Sequence, residues 1–352
     1  VVLCFAAVAT LSLLFPERRG VALTQCRVII VEPILFYALL RVMRPSRREL
    51  WIVLDAWVLS AVIVAGYGLW QYATGQDLIT AESGLLRLRS IYGSPNNAAL
   101  YLDRVLPLLV ALVLLGKTAL HGHRRLAYGL AAVPVGLALL LTFSKGALFL
   151  GIPAGLLVVF WVWQRLAGRR TWPWALGAFA AGAAALVVAG QVPALAARLD
   201  LFGVTGVFRV NLWRAALNMV AEHPVFGVGL DNFLYAYRGR YILDAAWQEP
   251  NLNHPHNIVL DFATRLGLVG LLAGAWLVVE ATLALWRALD QTGFHTPDRS
   301  EWLPVAAGLA GGLAAMLAHG LVDHSFFLVD LAFVFFLFLG VGLWIGDGRS
   351  AD

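Results

Sequence analysis

Three groups of residues in this chain have types and spacings that could carry chemistry. The first is Asn253-His254-Pro255-His256-Asn257, followed by an apolar run and then Gly267-Leu268-Val269-Gly270. Proline is harmless in the first turn of a helix, where its missing N–H has no partner to lose. The spacing therefore predicts a helix opening at Pro255, with His256 beside the positive end of its dipole. That position favours a neutral imidazole, which suits the acceptance of a proton from a hydroxyl nucleophile. In the second group, Val207–Val220, Arg209, Asn211 and Arg214 interleave with Val207, Val210, Leu217 and Val220 at near-helical spacing. This amphipathic segment is expected to end before Pro224, which biases His223 away from helical angles. The third group is His223-Pro224-Val225-Phe226-Gly227-Val228-Gly229-Leu230-Asp231-Asn232. Here Gly227 and Gly229 permit a tight backbone path, and Asp231 or Asn232 could cap a further helix.

The elements that must hold these groups are membrane spans. With 352 residues, 60% of them hydrophobic and only 13% charged, the chain departs far from the balance of soluble domains. A soluble globular enzyme is excluded. Apolar runs at 1–15, 26–42, 51–71, 97–116, 125–142, 146–164, 174–192, 268–287, 302–322 and 326–346 each read as a helix. The expected class is an all-α polytopic transmembrane bundle of about ten spans, at about 20 apolar residues per span. Residues 1–192 hold N-terminal spans, 193–267 form an outer loop carrying the three groups, and 268–352 hold C-terminal spans. One helix over 257–287 would be about 46 Å long, too long for a single crossing, and would place Arg265 in lipid. A break is therefore expected, with 256–265 along the outer surface, a turn at Gly267 and a crossing over 268–287.

Basic clusters set the orientation: Arg41, Arg44, Arg47 and Arg48, then Lys117, Arg124 and Arg125, then Arg165, Arg169 and Arg170. They fall on one side if the spans alternate. That side is expected to be cytoplasmic, with the 288–301 loop and the tail, which leaves 72–96, the Thr142–Lys145 corner and 193–256 outside. Arg18 and Arg19 depart from the rule. The net charge of +5 resides in these loops and implies no nucleic-acid partner. Cys4 and Cys26 suggest neither a metal site nor a disulfide framework. Because the chain starts at Val1 inside an apolar run, it reads as a fragment. Asp55, Asp103-Arg104 and Glu280, in or near apolar runs, are expected to pair between helices. His319, Asp323 and His324, near the outer end of the ninth run, could approach His256 and orient it.

At these motifs the sequence resembles the O-antigen ligase and O-antigen polymerase superfamily of polytopic membrane glycosyltransferases. The resemblance rests on His256-Asn257, nine residues, Gly267, two residues, Gly270, preceded by Arg209–Trp213 and His223-Pro224-x-x-Gly227-x-Gly229. Weaker echoes are Ser94-Pro95-Asn96 and Thr142-Phe143-Ser144-Lys145-Gly146. It implies a GT-C-like fold in the cell (inner) membrane, acting on its outer face. The implied donor is a glycan on a polyprenyl diphosphate, and the acceptor is a hydroxyl or amide on lipid, glycan or protein. By the resemblance His256 is the base, Arg209 and Lys145 hold the donor diphosphate, and Arg214, Asn257 and Ser144 line the substrate. Gly227, Gly229, Gly267 and Gly270 are the structural positions, and Asp323 and His324 are the candidate base-orienting pair. Lys145 stands where the family has arginine, keeping the charge without the planar fork. Arg265 stands where many members carry an acid, and could add a phosphate contact or snorkel to the surface.

Diphosphate is already a good leaving group, so the protein mainly neutralises charge and positions the acceptor. No closely spaced pair of acids stands on the expected outer face, and the transfer is predicted to need no metal or cofactor and to invert the anomeric centre. A polymerase on the same core is the alternative within the enzyme class. A solute transporter of the bicarbonate type would instead line interrupted helices with polar residues near the midplane. A membrane scaffold would leave the outer arginines and histidines unexplained.

Overall fold

The computed structural model describes residues 1–80, 84–116, 120–167, 173, 177, 204–294 and 300–348. Its elements are almost all helical. First come α1 (Val2–Ser12), α2 (Arg19–Gln25), a π-helical turn (Cys26–Val31) and α3 (Glu32–Met43). After α4 (Arg47–Thr74), the strands β1 (Ile79–Thr80) and β2 (Leu86–Arg87) pair antiparallel. Then follow α5 (Pro95–Leu115), α6 (Gly122–Leu141), a second π-helical turn (Ala147–Gly151) and α7 (Ile152–Ala167). The third group is α8 (Val204–Glu222), α9 (Phe233–Ala236), a third π-helical turn (Tyr237–Tyr241) and a short 3₁₀ turn (Asp244–Ala246). Last are α10 (Ile258–Gln291), α11 (Leu303–Gly320) and α12 (Val329–Gly346).

Seven helices among the described residues are long and apolar enough to cross a membrane: α4, α5, α6, Ala147–Ala167, α10, α11 and α12. The expectation of about ten differs for identifiable reasons. With 11 residues, α1 is short for a crossing, and the 26–42 run divides into the π-helical turn and α3. Apart from Gly177, the 174–192 run lies outside the described residues, as do Lys117, Arg169, Arg170 and 193–203 of the expected outer loop. The outward side chains of α6 show what such a helix faces. Leu126, Leu130, Val133 and Leu137 recur at spacings of four, three and four, and all are exposed. A stripe of that kind is stable against lipid and costly against water.

The chain divides into two compact units, the first made of Val1–Met43, Phe202–Leu283 and Gly320–Gly340, the second of Arg44–Leu201, Ala284–His319 and Val341–Asp352. In the second, local signals fix the helix starts. Ser46 and Glu49 form a reciprocal capping box at the head of α4. Ser94 caps α5 through the Asn96 N–H at 3.1 Å, with Pro95 in the first helical position. Gly155 of α7 and Gly311 of α11 let those helices approach Pro107 of α5, and a Cβ at Gly155 would meet the Pro107 ring and the Gly311 carbonyl. Asp55 accepts from Arg124 at 2.7 Å and Tyr128 at 2.5 Å, so this charge is paired between helices as expected. Glu280, in contrast, is partly buried and makes no hydrogen bond or ion pair among the described residues, so the interhelical pairing expected for it is not found there.

The first unit is organised around a break in α10. Gly267 has φ 70° and ψ −172°, so the helical ladder stops there and restarts. In an unbroken helix the Leu268 N–H would bond the Thr264 carbonyl; separated, both would be orphaned among apolar side chains, where each costs several kcal/mol. The segment after α8 takes both. Val228 N donates to Thr264 O at 2.8 Å, and Leu268 N donates to Pro224 O at 2.8 Å. The close approach explains two glycines at once. Gly227, at φ 65°, would place a Cβ on the Thr264 carbonyl, and Gly267 would place one on the Val225 carbonyl. Aromatic packing of Phe5, Phe262, Phe326 and Phe335 fills the apolar side of this unit.

Gly267→Ala should therefore destabilise the first unit by at least about 1–3 kcal/mol, from the left-handed angle alone, and further through the overlap with Val225. Denaturant unfolding in detergent measures this, and an unchanged midpoint would contradict the account of the break.

Candidate functional site

Helix α10 starts three residues later than its sequence suggests, at Ile258 instead of Pro255. Asn257, not a residue before Pro255, is its cap: Asn257 Oδ1 accepts from Val259 N at 3.0 Å and Leu260 N at 3.1 Å. The same amide donates from Nδ2 to Leu321 O at 3.0 Å. Three of its four hydrogen-bonding positions are thus taken up by backbone, so Asn257 shapes the loop and keeps one amide N–H. Pro255 precedes the helix. His256 is left just outside the N-terminus in a left-handed conformation, φ 49°, which is uncommon for a non-glycine residue.

That conformation brings the His256 imidazole onto the loop between α11 and α12. Its Nδ1 lies 2.9 Å from Asp323 Oδ1 and 3.1 Å from His254 Nε2. The Asp323 side chain is only 2% exposed and that of His256 21%. His254 Nδ1 donates to Asn253 Oδ1 at 2.6 Å, which leaves its Nε2 as an acceptor. The hydrogen-bond network then assigns the proton on His256 to Nδ1. Its Nε2 keeps a lone pair.

Burial decides the charges around it. It holds His254 down to about 3, with His256 alongside lowering it further against the opposing pull of Asp323. His324 is held well below the usual imidazole range, again by burial first and by His254 second. The two rings stack in parallel, centroids 3.5 Å apart and 5° from coplanar, an arrangement suited to neutral imidazoles. For Asp323, burial alone would raise the carboxyl, but His256 facing it, with help from His254 and His324, holds it well below the usual carboxylate range.

His254, Asp323 and His324 bring their ligand atoms within 4.8 Å of one another, close enough to raise the question of a metal. The ring geometry does not fit one. A coordinated ion lies in the plane of the imidazole about 2.0–2.1 Å from nitrogen, and two parallel rings 3.5 Å apart cannot both direct in-plane lone pairs at a single point.

Helix α8 delivers its residues to this loop through one bond, Trp213 Nε1 to Pro255 O at 2.9 Å. Arg209 lies one turn earlier on the same face, about 6 Å along the axis. It is half-buried and, among the described residues, makes no ion pair. Arg214 is exposed and points off that face. Gly229, at φ 103°, packs on Pro16, and Gly270 on Leu266.

Arg265 corrects an expectation: it neither snorkels nor offers a free charge. Fully buried, it pairs with Asp261 at 2.6 Å and Asp231 at 3.1 Å, and sits over the Phe327 ring at 5.0 Å. Asn232 stands at the cap of α9 as expected, yet its Oδ1 accepts from Arg18 N at 2.8 Å instead of from the helix.

Ser144 and Lys145 lie in the second unit. Ser144 is buried with Oγ 3.4 Å from His319 Nε2, and His319 Nδ1 is 2.6 Å from Asp103 Oδ2. His319 thus pairs with Asp103 and Ser144, not with His256. Sequence reasoning missed Arg87 altogether. Its Nε donates to Thr142 O at 2.8 Å and its Nη2 to Asn96 Oδ1 at 2.8 Å, so one side chain ties the Ser94–Asn96 and Thr142–Gly146 motifs together. No periodicity marks it, because it stands in a short hairpin.

Residues 130–275 match the family model described as O-Antigen ligase. The matched stretch contains Ser144 and Lys145, Arg209, Gly227, Gly229, His256, Gly267 and Gly270, so the resemblance read from the motifs holds. A search of curated proteins finds no match.

The buried imidazoles give an acid sensitivity. A histidine whose folded value lies below its unfolded value contributes stability that is present above about pH 6.5 and lost as pH falls towards the folded value. For His254 the window runs from about 6.5 down to about 3, and His324 adds to it in the same direction. Lowering pH from 7 to 5 should cost about 2 kcal/mol from His254 alone. Unfolding midpoints of wild type and His254→Asn across that range test this; equal pH dependence in the two would contradict it.

Proposed function

From the O-antigen ligase match over residues 130–275, we propose that this membrane protein transfers a glycan from a polyprenyl diphosphate to an acceptor hydroxyl or amide, with His256 as the general base. The observation that carries this reading is the His256–Asp323 pair: a carboxylate on Nδ1, and on the other side of a partly exposed ring an Nε2 with its lone pair available. Acceptor O–H or N–H loses its proton to Nε2 while the heteroatom bonds the anomeric carbon. The bond from that carbon to the phosphate oxygen breaks, its electron pair leaving with the diphosphate. Asp323 holds the ring in the required tautomer and stabilises the imidazolium that forms, as a third group does in other base-assisted transfers.

Arg209 is proposed to contact the departing diphosphate. Its uncommitted guanidinium lies one helical turn from Trp213, whose indole is bonded to the residue before His256. A guanidinium offers a planar fork to phosphate oxygens and needs no metal to neutralise them. Action on the outer face of the cell membrane is part of the same proposal, supported by the distribution of basic loops in the sequence.

Reconstituted protein given a polyprenyl-diphosphate-linked glycan and acceptor tests the assignment. His256→Ala should reduce transfer by about 10²–10⁴-fold, the usual contribution of a general base. Asp323→Asn should lower kcat with little change in donor KM, whereas Arg209→Ala should mainly raise donor KM. Undiminished transfer by folded His256→Ala would refute the base assignment.

A further inference from the structure

The outer arginines near the N-terminus find no use in this chemistry. Arg18 and Arg19 depart from the orientation rule as the apolar runs read in the sequence. Within the first unit, Arg18 lines a cleft of about 640 Å³ together with Phe15, Tyr235, Arg238, Arg240 and one carboxylate, Glu17. The guanidiniums differ in commitment. Arg240 is paired with Glu222 at 2.5 Å. Arg238 makes no hydrogen bond or ion pair among the described residues, and the Arg18 guanidinium lies over the Tyr235 ring at 5.2 Å with no acid partner.

Backbone geometry holds these groups in place. Arg238 and Arg240 ride on the π-helical turn Tyr237–Tyr241, a rare conformation that recurs at functional sites. Tyr237 and Tyr241 of that turn pack inward, in a cluster with Leu212, Met219 and Phe233, so the arginines between them face outward. Opposite them the Arg18 backbone is fixed by Asn232. Phe15 stacks one ring face on Phe226, centroids 4.7 Å apart and 10° from parallel, and stays 59% exposed. The cleft thus combines two uncommitted guanidinium forks, which match phosphate oxygens, with open aromatic surface of the kind that packs on the apolar face of a sugar ring.

We propose that the cleft between Phe15–Arg18 and the 223–241 segment is a binding site for a phosphate-bearing saccharide, its anion held by Arg18 and Arg238 and its ring by Phe15. The choice of saccharide over other phosphates rests on the glycan-transfer reading above. The anion-binding part rests on the cleft alone. The ligand requirement is for both halves together, so neither inorganic phosphate nor a neutral sugar should substitute.

Calorimetric titration of the full chain in detergent with glucose 1-phosphate, inorganic phosphate and glucose tests this. Glucose 1-phosphate should bind at least about tenfold tighter than either of the others, a difference of about 1.4 kcal/mol. Arg238→Gln and Arg18→Gln should each weaken it about tenfold or more, Phe15→Ala should reduce its advantage over inorganic phosphate, and Arg19→Gln, a neighbour outside the cleft, should not change it. Equal weakening by Arg19→Gln would mean diffuse charge attraction and overturn the site. Equal binding of inorganic phosphate, or displacement of the sugar phosphate by phosphatidate nanodiscs at matched phosphate, would assign the cleft to a bare phosphate or lipid headgroup and overturn saccharide recognition. His256→Ala should bind glucose 1-phosphate like wild type. Loss of transfer with binding retained is a result about the base; loss of binding in the cleft variants with His256-dependent transfer retained is a result about the cleft.

Discussion

The candidate site depends on an exchange of two backbone hydrogen bonds at Gly267. When α10 breaks, the Thr264 carbonyl and the Leu268 N–H lose each other, and the turn between α8 and α9 supplies Val228 N and Pro224 O in their place. Neither segment is self-sufficient. A broken helix without the turn leaves two unsatisfied groups in apolar surroundings, and the turn without the break has nowhere to put Gly227, whose missing side chain is what admits the Thr264 carbonyl. The motifs with Gly227 and Gly267, some forty residues apart in sequence, are therefore two halves of one device. It fixes α8 against the beginning of α10, and with it the bond from Trp213 to Pro255.

Much of this was legible in the residues. The apolar runs gave the all-helical membrane class because their length and composition leave few alternatives. The excess length of 257–287 predicted a break, and glycine at 267 was where a left-handed angle costs least. The end of α8 before Pro224 followed from proline sterics alone. What was not legible depended on contacts between distant parts of the chain. Pro255 looked like a helix start because proline favours that position, but Asn257 forms two cap bonds and shifts the start past it. Arg265 looked like a lipid-edge charge because its acids, Asp261 and Asp231, could not be assigned to it from spacing. His319 resembled a partner for His256 in linear order, whereas packing of α5 against α11 gives it Asp103.

Each unit carries a buried polar network, and the two differ in what they hold. In the first, Arg265 is neutralised by two acids and packed on an aromatic face, and it also reaches Asn253 O at 3.4 Å, in the loop that carries His254 and His256. In the second, Asp103, His319 and Ser144 form a chain between α5, α11 and the corner before Lys145. Gly151 is small enough to admit this chain, since a Cβ there would meet the Asp103 carboxylate and the His319 side chain. Buried ion pairs are weak evidence for stability, because desolvation offsets most of the attraction. Hydrophobic replacements of similar volume would pack such regions at less cost. Their directional bonds do something packing cannot: they fix the angle of a loop that itself has no regular hydrogen bonding.

This accounts for the strain at His256. A left-handed angle in a non-glycine residue costs about 1–2 kcal/mol and persists only where the surroundings over-determine it. Here the next residue, Asn257, is pinned by the helix it caps and by Leu321; the preceding Pro255 is pinned by its fixed ring and by Trp213. Between two anchored neighbours the only freedom left to His256 is the side it presents, and its bond to Asp323 chooses that side. The ring is thereby held in one orientation, which is the preorganisation that the base role proposed for it requires. Relaxing the angle would require freeing the cap or the indole bond, and the indole bond also ties α8 to the start of α10.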